Sequence, residues 1–355
     1  MGLERAVRAI HLQPTDSIPS EEWVDHPRFI QQVTGLDAFE QPLESSLELV
    51  RRLDIDWVTD LPRTAMKFER GQTEQRAADG SRYTEWGFTG SVWEDESLFH
   101  DPDEVLAYRP LEDAAGPQRV RVVSRAYREG RIQGPREVRR VVGDATLVSG
   151  LYYTTLFQYG IMAFGWENFL TAAASEPETF RLILDQFAQL SVENVTEWVR
   201  DDCPVFFTHD DLAISSGLVF PVEWYRREIL PRYERIFEPA HAAGKKIIFV
   251  SDGNYMPLMD DLAALGVHGF MIDPSNDLAW VLERFGRDHV VIGNIDTSIL
   301  TFSAPTQVEA EVRRCAELGR GYPGYFFRAA GDLPHNVPLE NMHAYFEAKR
   351  RWGAR

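Results

Sequence analysis

Three short apolar runs in the second half of the chain end abruptly in polar residues and are followed by helical patterns. They occupy residues 205–211, 247–254 and 290–296. A strand that is apolar on both faces is typical of a parallel sheet covered by helices on both sides. In a parallel barrel the carboxyl ends of all strands gather on one face, so the polar residues that end these runs are expected to meet there.

The alternation of strand and helix patterns extends over most of the chain. It predicts an α/β fold, and one parallel barrel over residues 1–355 rather than two domains. Predicted strands cover residues 18–24, 54–60, 147–155, 205–211, 246–253, 267–272, 290–296 and 325–329. Predicted helices cover residues 3–12, 43–53, 177–199, 222–242, 255–265, 277–285, 306–318 and 339–352, with a kink expected at Pro231.

Residues 63–145 interrupt this alternation. Residues 83–88 and 120–123 resemble the strands of hairpins, and a capped helical turn is expected at 101–108, beginning with Asp101-Pro102. Inserted hairpins above the mouth of a barrel form lids or dimer surfaces, and the sequence leaves both roles open.

Composition argues against several classes of partner. The chain has 37 Lys and Arg against 55 Asp and Glu, a formal net charge of -18, which repels nucleic acid and disfavours a polycarboxylate substrate. Cys203 and Cys315 are too few for a disulfide framework or a thiolate-only metal cage, so a cytoplasmic location is expected. The first residues carry charges where a signal peptide needs an apolar core, and no membrane span is expected.

The aspartates that end the three runs are the main candidates for catalysis. Asp211, Asp252 and Asp296 end different strands, and His209 and Asp210 lie beside the first of them. Carboxylates that meet in one pocket repel each other, which raises at least one pKa and suits proton transfer. Asp211, Asp252 and His209 would also be the ligands if a divalent metal ion binds. The alternative is that some of these aspartates cap the following helices.

A second group of polar and aromatic residues is expected to contact a small-molecule substrate. Arg328, at the end of the last strand, needs an anionic partner, which is Asp296, Asp332 or a substrate carboxylate. His335 lies in the following loop, and its alternative role is to cap the last helix. Tyr152 and Tyr153 belong to an aromatic concentration that either walls a pocket or packs helices against the barrel. The other predicted substrate contacts are Asp210, Asn254 and Asn294.

Nucleotide-binding and serine-hydrolase motifs find no support in the sequence. The Gly-x-Gly-x-x-Gly pattern at 319–324 follows a helix and precedes a strand, which is the reverse of its context in a dinucleotide-binding fold. No Gly-Lys-Ser/Thr sequence and no Gly-x-Ser-x-Gly elbow occurs in the chain. Hydride transfer, phosphoryl transfer and serine hydrolysis are therefore not expected.

A series of short sequences occurs along the chain in a fixed order. They are residues 5–8, 14–19, 210–211, 216–217, 221, 224–225, 242–246, 251–254, 293–296 and 338–341. This order resembles the uroporphyrinogen decarboxylase superfamily, which includes the decarboxylase of haem biosynthesis and corrinoid-linked methyltransferases. The resemblance implies a (β/α)8 TIM barrel with its site at the carboxyl ends of the strands, and a homodimer.

Two departures from that family change the expected chemistry. Its zinc-dependent methyltransferases have a His-x-Cys-Gly sequence where this chain has Val250-Ser251-Asp252-Gly253, so a sulfur-rich zinc site is not expected. Its haem-pathway decarboxylase grips substrate carboxylates with an arginine pair after the first strand, where this chain offers only Arg28. An eight-carboxylate substrate would therefore lack its guanidinium partners.

Three functions follow from the resemblance and these residues. The leading expectation is methyl transfer or demethylation of a small organic substrate, with a corrinoid on a partner protein and with Asp211, Asp252 and Asp296 positioning or protonating the substrate. The first alternative is a decarboxylase, in which Arg328 anchors a carboxylate and an aspartate of raised pKa protonates the carbanion. The second alternative is a non-catalytic barrel that binds a ligand or a partner.

Overall fold

Parallel strands and helices alternate along the chain, as its hydrophobic pattern predicts. The structure, a computed structural model, describes residues 2–62 and 98–355, together with the backbone of three strands between them. The strands are β1 (Val24–Asp25), β2 (Trp57–Val58), β3 (Thr73–Arg76), β4 (Arg82–Trp86), β5 (Ser91–Glu94), β6 (Leu147–Val148), β7 (Tyr152–Tyr153), β8 (Val205–His209), β9 (Ala213–Ile214), β10 (Gly217–Leu218), β11 (Lys246–Val250), β12 (Gly269–Met271), β13 (Val290–Ile292), β14 (Tyr325–Phe326) and β15 (Leu333–Pro334). The helices are α1 (Gly2–Ile10), α2 (Pro27–Thr34), α3 (Pro42–Leu53), α4 (Pro102–Ala107), α5 (Pro110–Ala115), α6 (Arg125–Val142), α7 (Phe157–Phe164), α8 (Trp166–Ser175), α9 (Pro177–Trp198), α10 (Val222–Glu228), α11 (Leu230–Ala242), α12 (Met256–Ala264), α13 (Leu278–Phe285), α14 (Thr297–Phe302), α15 (Pro305–Gly319) and α16 (Leu339–Trp352).

Eight parallel segments form a closed ring. Strands β7, β8, β11, β12, β13 and β14 form one parallel sheet in that order. Strand β2 pairs in parallel with β6, which lies on the same stretch of chain as β7. Ser20 forms a parallel bridge to Phe327, directly after β14, and Glu21 forms one to Trp57 in β2. The segment that contains Ser20 and Glu21 thus joins both ends of the sheet into a ring. The chain therefore has the expected (β/α)8 barrel.

Alternate residues of the barrel strands fill the barrel interior. The Trp57 ring lies 5.0 Å from the Phe207 ring and 5.6 Å from the Phe326 ring. The same buried cluster contains Leu147, Val205, Ile248, Val250, Met271, Val290 and Ile292. Helix α1 packs beneath the amino-terminal ends of the strands and adds to this cluster Ala6, Ala9 and Ile10. The interior is therefore a packed core that is closed at the end opposite the predicted site.

The intervening residues of the same strands face the helices. Phe206 of β8, Phe249 of β11 and Phe270 of β12 are fully buried and belong to the larger cluster that the helices form. Because helices cover the outer face and core side chains cover the inner face, each strand is apolar on both sides. This explains the continuous apolar runs in the sequence.

The interval that interrupts the alternation is only partly built from strands. Strands β3, β4 and β5 form an antiparallel sheet, so the strand expected at 83–88 is confirmed over residues 83–86. Residues 87 and 88 lie outside the described residues. From residue 98 the interval is helical, and Asp101 caps α4 as predicted by accepting the Glu104 N–H at 2.9 Å. The roles of lid and dimer surface remain predictions.

The strand predicted at 120–123 is wrong. Val122 and Val123 are buried, but they lie in a 3-10 turn at Arg121–Val123. Ser124 then begins α6, since its hydroxyl accepts the backbone N–H of Tyr127 at 3.2 Å. Packing beneath α6 and α7 decides the conformation of this valine-rich run, because β propensity depends strongly on context.

Several helices differ from the sequence patterns, and α2, α5, α7, α8 and α14 lie outside every predicted helix. The kink expected at Pro231 is a break, because α10 ends at Glu228 and α11 begins at Leu230 with Pro231 in its first turn. Helix α6 has no counterpart among the predicted helices, since Gly130 and Pro135 disfavour a helix and both lie inside its 18 residues.

The cysteines and the helices add two further findings. Cys203 and Cys315 are both buried and free. Among the helices in the described part of the chain, none combines the length and the apolar character needed to cross a membrane.

A buried ion pair ties the first barrel segment to the last helix. The Glu22 carboxylate accepts a hydrogen bond from Lys349 Nζ at 2.6 Å and another from the Tyr345 hydroxyl. The Lys349 side chain is 8% exposed and the Glu22 side chain 1% exposed. A charge at such depth depends on its partner.

Replacing Lys349 is expected to destabilise the barrel strongly. Lys349→Met leaves the Glu22 charge buried without a cation, which should lower the free energy of unfolding by about 3–5 kcal/mol. Arg351→Met is the matched control on the same helix, because the Arg351 side chain that pairs with Glu309 is 63% exposed. Its expected cost is below about 1 kcal/mol. Urea unfolding followed by circular dichroism measures both values, and equal losses would contradict the role given to Lys349.

Candidate active site

A cavity of about 590 Å³ opens at the carboxyl ends of the barrel strands. Every barrel strand except β13 contributes a residue to its walls, at the end of the strand or just after it. The remaining wall comes from the 3-10 turn and from α6, α7 and α8, through Arg121, Arg131, Gln158, Ile161, Met162 and Trp166. The volume suits a small molecule, and the position is that of active sites in parallel barrels.

The alternation of β8 brings His209 and Asp211 into this cavity. Val205 and Phe207 face the barrel interior, and the residues two and four positions beyond Phe207 continue on the same side. Asp210 lies on the other side of the strand and is fully buried. A period of two residues therefore selects His209 and Asp211 over Asp210.

Two neighbouring strands repeat the pattern. Val250 faces the barrel interior and Asp252 follows it into the cavity, while Met271 precedes Asp273 in the same way. The parallel register pairs His209 with Val250, and Val250 with Met271. The carboxylates that follow these paired residues therefore reach the cavity at neighbouring positions.

His209, Asp211 and Asp252 form one cluster on the cavity wall. His209 Nε2 lies 2.7 Å from Asp211 Oδ1, and the backbone N–H of Asp252 donates to the same oxygen at 2.8 Å. The side-chain amide of Gln158 donates to the other Asp211 oxygen. One ligating atom from each of the three residues lies within 4.8 Å of the others. At these distances the cluster can pass a proton or share a cation.

Charge interactions set the pKa values in this cluster. Burial opposes the charged form of His209, but the Asp211 carboxylate outweighs this effect and the pKa of His209 is raised. Burial also disfavours ionised Asp211, yet the contact with His209 holds the pKa of Asp211 below its usual range. Partial removal of water by the surrounding cavity wall and the negative charge of Asp211 both raise the pKa of Asp252. His209 and Asp252 are thus suited to hold protons while Asp211 stays ionised.

Of the two predicted tyrosines, Tyr153 lines the cavity and Tyr152 does not. Tyr153 lines the cavity, its ring centroid lies 4.4 Å from that of His209, and its hydroxyl accepts from the Gln158 amide at 3.4 Å. Burial raises the pKa of Tyr153, so its hydroxyl stays protonated. Tyr152 points away from the cavity, and its hydroxyl accepts from Asn194 at 2.9 Å. The expected substrate contact is therefore corrected for Tyr152, because alternate residues of a strand face opposite sides.

Asp210 braces the site instead of contacting a substrate, which corrects its expected role. Its carboxylate accepts the backbone N–H groups of Leu156, Phe157 and Gln158 at 2.7–2.8 Å, and the Tyr233 hydroxyl at 2.7 Å. These N–H groups begin α7, so Asp210 fixes the start of the helix that carries Gln158. Burial raises the pKa of Asp210 to about 6.

Asp296 lies outside the cavity. Its carboxylate accepts the Ser298 N–H at 2.8 Å and caps α14, and β13 adds no residue to the cavity wall. The expected meeting of three aspartates holds for Asp211 and Asp252 but is wrong for Asp296. The alternative, that a strand-end aspartate caps the next helix, describes Asp296.

Three other predicted substrate contacts also lie elsewhere. The Asn254 side chain accepts the Met256 N–H at 3.3 Å, and the Asn294 amide donates to the Asn276 carbonyl at 2.8 Å. His335 is exposed in the loop after β15. None of the three lines the cavity. Loop geometry beyond the strand ends turns Asn254 and Asn294 toward local partners.

Arg328 lines the cavity, but its guanidinium is paired within the protein. It contacts the carboxylate of Glu21, whose side chain is fully buried. Burial raises the pKa of Glu21 to about 7, and the contact with Arg328 opposes this shift. The ion-pair partner is therefore Glu21, which the sequence pattern did not identify. The charge of Asp332, one of the predicted partners, also interacts favourably with Arg328, whereas Asp296 caps a helix instead.

Several residues on the cavity wall, and the buried Glu21 that pairs with Arg328, escaped the sequence analysis. Asp273 directly follows the predicted strand 267–272, so the rule that selected Asp252 would have found it. Glu21 lies inside the predicted strand 18–24, where no polar end marks it. Arg121 and Arg131 lie in the interval interpreted as hairpin strands, and no spacing in the sequence connects them with the strand ends.

Replacing Asp252 is expected to stabilise the protein at alkaline pH. Because the folded state raises the pKa of Asp252, ionisation of this group lowers stability as the pH rises through that raised value. Asp252→Asn removes the repulsion by Asp211 and Asp273, which should add up to about 1 kcal/mol at about pH 8. At about pH 5 the gain should shrink, since Asp252 then holds more of its proton. Urea unfolding at both pH values measures the difference.

Asp273→Asn is the matched control, because it removes a charge from the same wall. Asp273 also accepts the N–H groups of Gly253 and Ser275, each at 2.8 Å. Its replacement should therefore destabilise the protein at both pH values. A gain in stability from both variants would contradict the assignment of Asp252 as the carboxylate that lacks hydrogen-bond donors.

Comparison with known proteins places this geometry in a family. A family model described as Uroporphyrinogen decarboxylase (URO-D) matches residues 153–352, more than half of the chain. The uroporphyrinogen decarboxylase of Syntrophotalea carbinolica is 26% identical over 253 residues, which cover 69% of this chain and 71% of that protein. The uroporphyrinogen decarboxylase of Pelobacter propionicus is 23% identical over 178 residues, and the alignment spans only 50% of the length of each.

A solved structure supports the fold. The methyltransferase from Methanosarcina mazei superposes with a TM-score of 0.65 at 14% identity, covering 99% of this chain and 98% of that one. At this identity the likeness concerns the fold alone, while the family model extends from Tyr153 through all later barrel strands to α16. The chain belongs to the uroporphyrinogen decarboxylase family.

Proposed function

We propose that this protein is an enzyme that removes a methyl group from a small organic substrate, with a corrinoid on a partner protein as the methyl acceptor. The observation that carries the proposal is the His209–Asp211–Asp252 cluster in the cavity. A methyl group leaves oxygen, nitrogen or sulfur more easily when the heteroatom receives a proton or a cation. This cluster is suited to supply either.

In the proposed reaction the bond between the heteroatom and the methyl carbon breaks while the acceptor supplies an electron pair to that carbon. The heteroatom keeps the electrons of the broken bond and takes a proton from Asp252 or His209. Asp211 stays ionised, orients the imidazole and stabilises its protonated form, as a carboxylate does in a catalytic triad. Gln158 holds Asp211 in place through the second oxygen.

The same residues fit a divalent metal ion. One imidazole and two carboxylates are the ligands of hard and borderline cations, and neither cysteine lies on the cavity wall. His209, Asp211 and Asp252 would hold the ion. A bound cation would polarise the heteroatom and replace proton donation in assisting its departure.

Decarboxylation is the second candidate, favoured by the raised pKa of Asp252. A protonated carboxyl group in the cavity can protonate the carbanion that remains when carbon dioxide leaves. An eight-carboxylate porphyrinogen is a poor substrate here, because Asp211, Asp252 and Asp273 line the cavity. This candidate favours a small substrate with few carboxylates.

Activity should depend on Asp252 and His209 but not on Asp296. With a panel of methylated small molecules and reduced cobalamin as acceptor, Asp252→Asn and His209→Gln should lower kcat by about 100- to 10,000-fold, with smaller changes in KM. Asp296→Asn is the matched control, since it changes a strand-end aspartate outside the cavity and asparagine preserves a helix cap. The wild-type rate should fall as the pH rises, because the raised pKa values belong to the proton donors.

Carbon dioxide release from a panel of carboxylates, measured in parallel, separates the two candidates. Release of carbon dioxide without demethylation would replace the first candidate by the second. An equal loss of activity in Asp296→Asn would contradict both, since it would remove the link between the cavity and turnover.

Metal binding should also depend on the cluster. Mn²⁺ or Zn²⁺ at about 100 times its Kd should stabilise the wild type by about 2.7 kcal/mol. Asp252→Asn should lose most of this gain, because it removes one of three charged or imidazole ligands. Thermal unfolding with and without each ion measures the effect, and Asp296→Asn again serves as the control. An unchanged response in Asp252→Asn would show that the ion binds elsewhere.

A further inference from the structure

We infer that Arg121 and Arg131 form a site for an anionic group, a carboxylate or a phosphate, on the wall of the cavity that the helical insert (residues 98–145) provides. The inference rests on the proposed function, because it specifies the class of substrate: a small, largely apolar molecule with an anionic group at a distance from its reacting atom.

Both arginines face the cavity, and the described part of the chain supplies neither with a counter-ion. They line it from the 3-10 turn and from α6, and both are half-buried. Within the described residues neither has a carboxylate within ion-pair distance, although the chain has 55 acidic against 37 basic residues. Arg328, the third guanidinium of the cavity, is paired with Glu21. The charge available to a ligand is therefore that of Arg121 and Arg131.

One tyrosine ring contacts both guanidiniums. The Cζ atoms of Arg121 and Arg131 each lie 5.2 Å from the centroid of the Tyr127 ring. Ring contacts of this kind hold a guanidinium in place but do not neutralise its charge. Two guanidinium charges that contact one ring and line one cavity create a local positive field, which attracts an anion to this part of the wall.

The anion site is connected to the catalytic cluster through a second tyrosine. Arg131 Cζ lies 5.3 Å from the centroid of Tyr153, and the same ring contacts His209 with a centroid separation of 4.4 Å. A small molecule that lies along Tyr153 can thus contact both Arg131 and His209. The length of one aromatic ring with two substituents suits this arrangement.

The remaining cavity surface indicates the body of the ligand. Trp23, Met162, Trp166 and Phe207 give the cavity apolar and aromatic walls. The carboxylates of the catalytic cluster repel an anion from their side, so the charges at the two ends fix the orientation of the ligand. The anionic group is directed to the arginines, and the reacting heteroatom is directed to Asp252.

The test measures binding without turnover, using benzoate, phenyl phosphate and neutral benzamide as probes. Tryptophan fluorescence reports binding, since Trp23 and Trp166 line the cavity. At least one anionic probe should bind about 10- to 100-fold more tightly than benzamide. Arg121→Met and Arg131→Met should each remove most of this preference while leaving the benzamide affinity unchanged, which shows that the cavity is intact.

Arg128→Met is the matched control on the same helix. Arg128 is half-buried like Arg131, but it bonds to the Ser124 carbonyl and does not line the cavity. The preference for the anion should persist in this variant. Tighter binding of benzoate assigns the site to carboxylates, and tighter binding of phenyl phosphate assigns it to phosphates.

Two results would overturn the inference: equal affinities of all probes for the wild type, or an anion preference that survives in both Arg121→Met and Arg131→Met. Failure of the proposed function would give a different result. An anion preference that follows the two arginines, in a protein without turnover on methylated compounds or carboxylates, would uphold the site and reject the reactions. Asp252→Asn should keep the anion preference, because it removes a negative charge and not a guanidinium.

Discussion

The two-residue alternation of parallel strands, held in register around a closed ring, is the constraint on which the site depends. Inside the barrel it packs Val205, Phe207 and Val250 against each other. Beyond the strand ends the same period continues with polar residues, so the side chains that follow the core positions enter the cavity. A slip of one residue in β8 would bury His209 and Asp211 among the helices and turn Asp210 into the cavity.

Because the chain is acidic, the role of each carboxylate depends on which hydrogen-bond donors surround it. Asp210 has four donors and begins a helix, Glu22 has Lys349 and Tyr345, and Glu21 has Arg328. Asp252 has no comparable set within the described residues, and it faces the charges of Asp211 and Asp273. The carboxylates with donors brace the fold, whereas Asp252 faces the cavity without such donors and is placed to exchange a proton with a ligand.

The helical insert gives this barrel a wall that strand ends alone do not provide. Its 3-10 turn and α6 bring two arginines to a cavity whose barrel side is rich in carboxylates. Opposite charges on separate walls select and orient a ligand more effectively than either alone. The proposed chemistry thus uses oxygen and imidazole groups from the barrel together with cationic groups from outside it.

The sequence by itself determined the barrel, its strand positions and the candidacy of His209, Asp211 and Asp252, because apolar runs and their polar ends are local features of the chain. It could not show that Asp252 enters the cavity while Asp296 caps a helix, since both aspartates follow equally apolar strands. Only the tertiary structure decided that Glu21 pairs with Arg328, and that Arg121 and Arg131 reach the cavity. Those contacts join residues far apart in the chain, and their geometry depends on how the insert packs above the barrel.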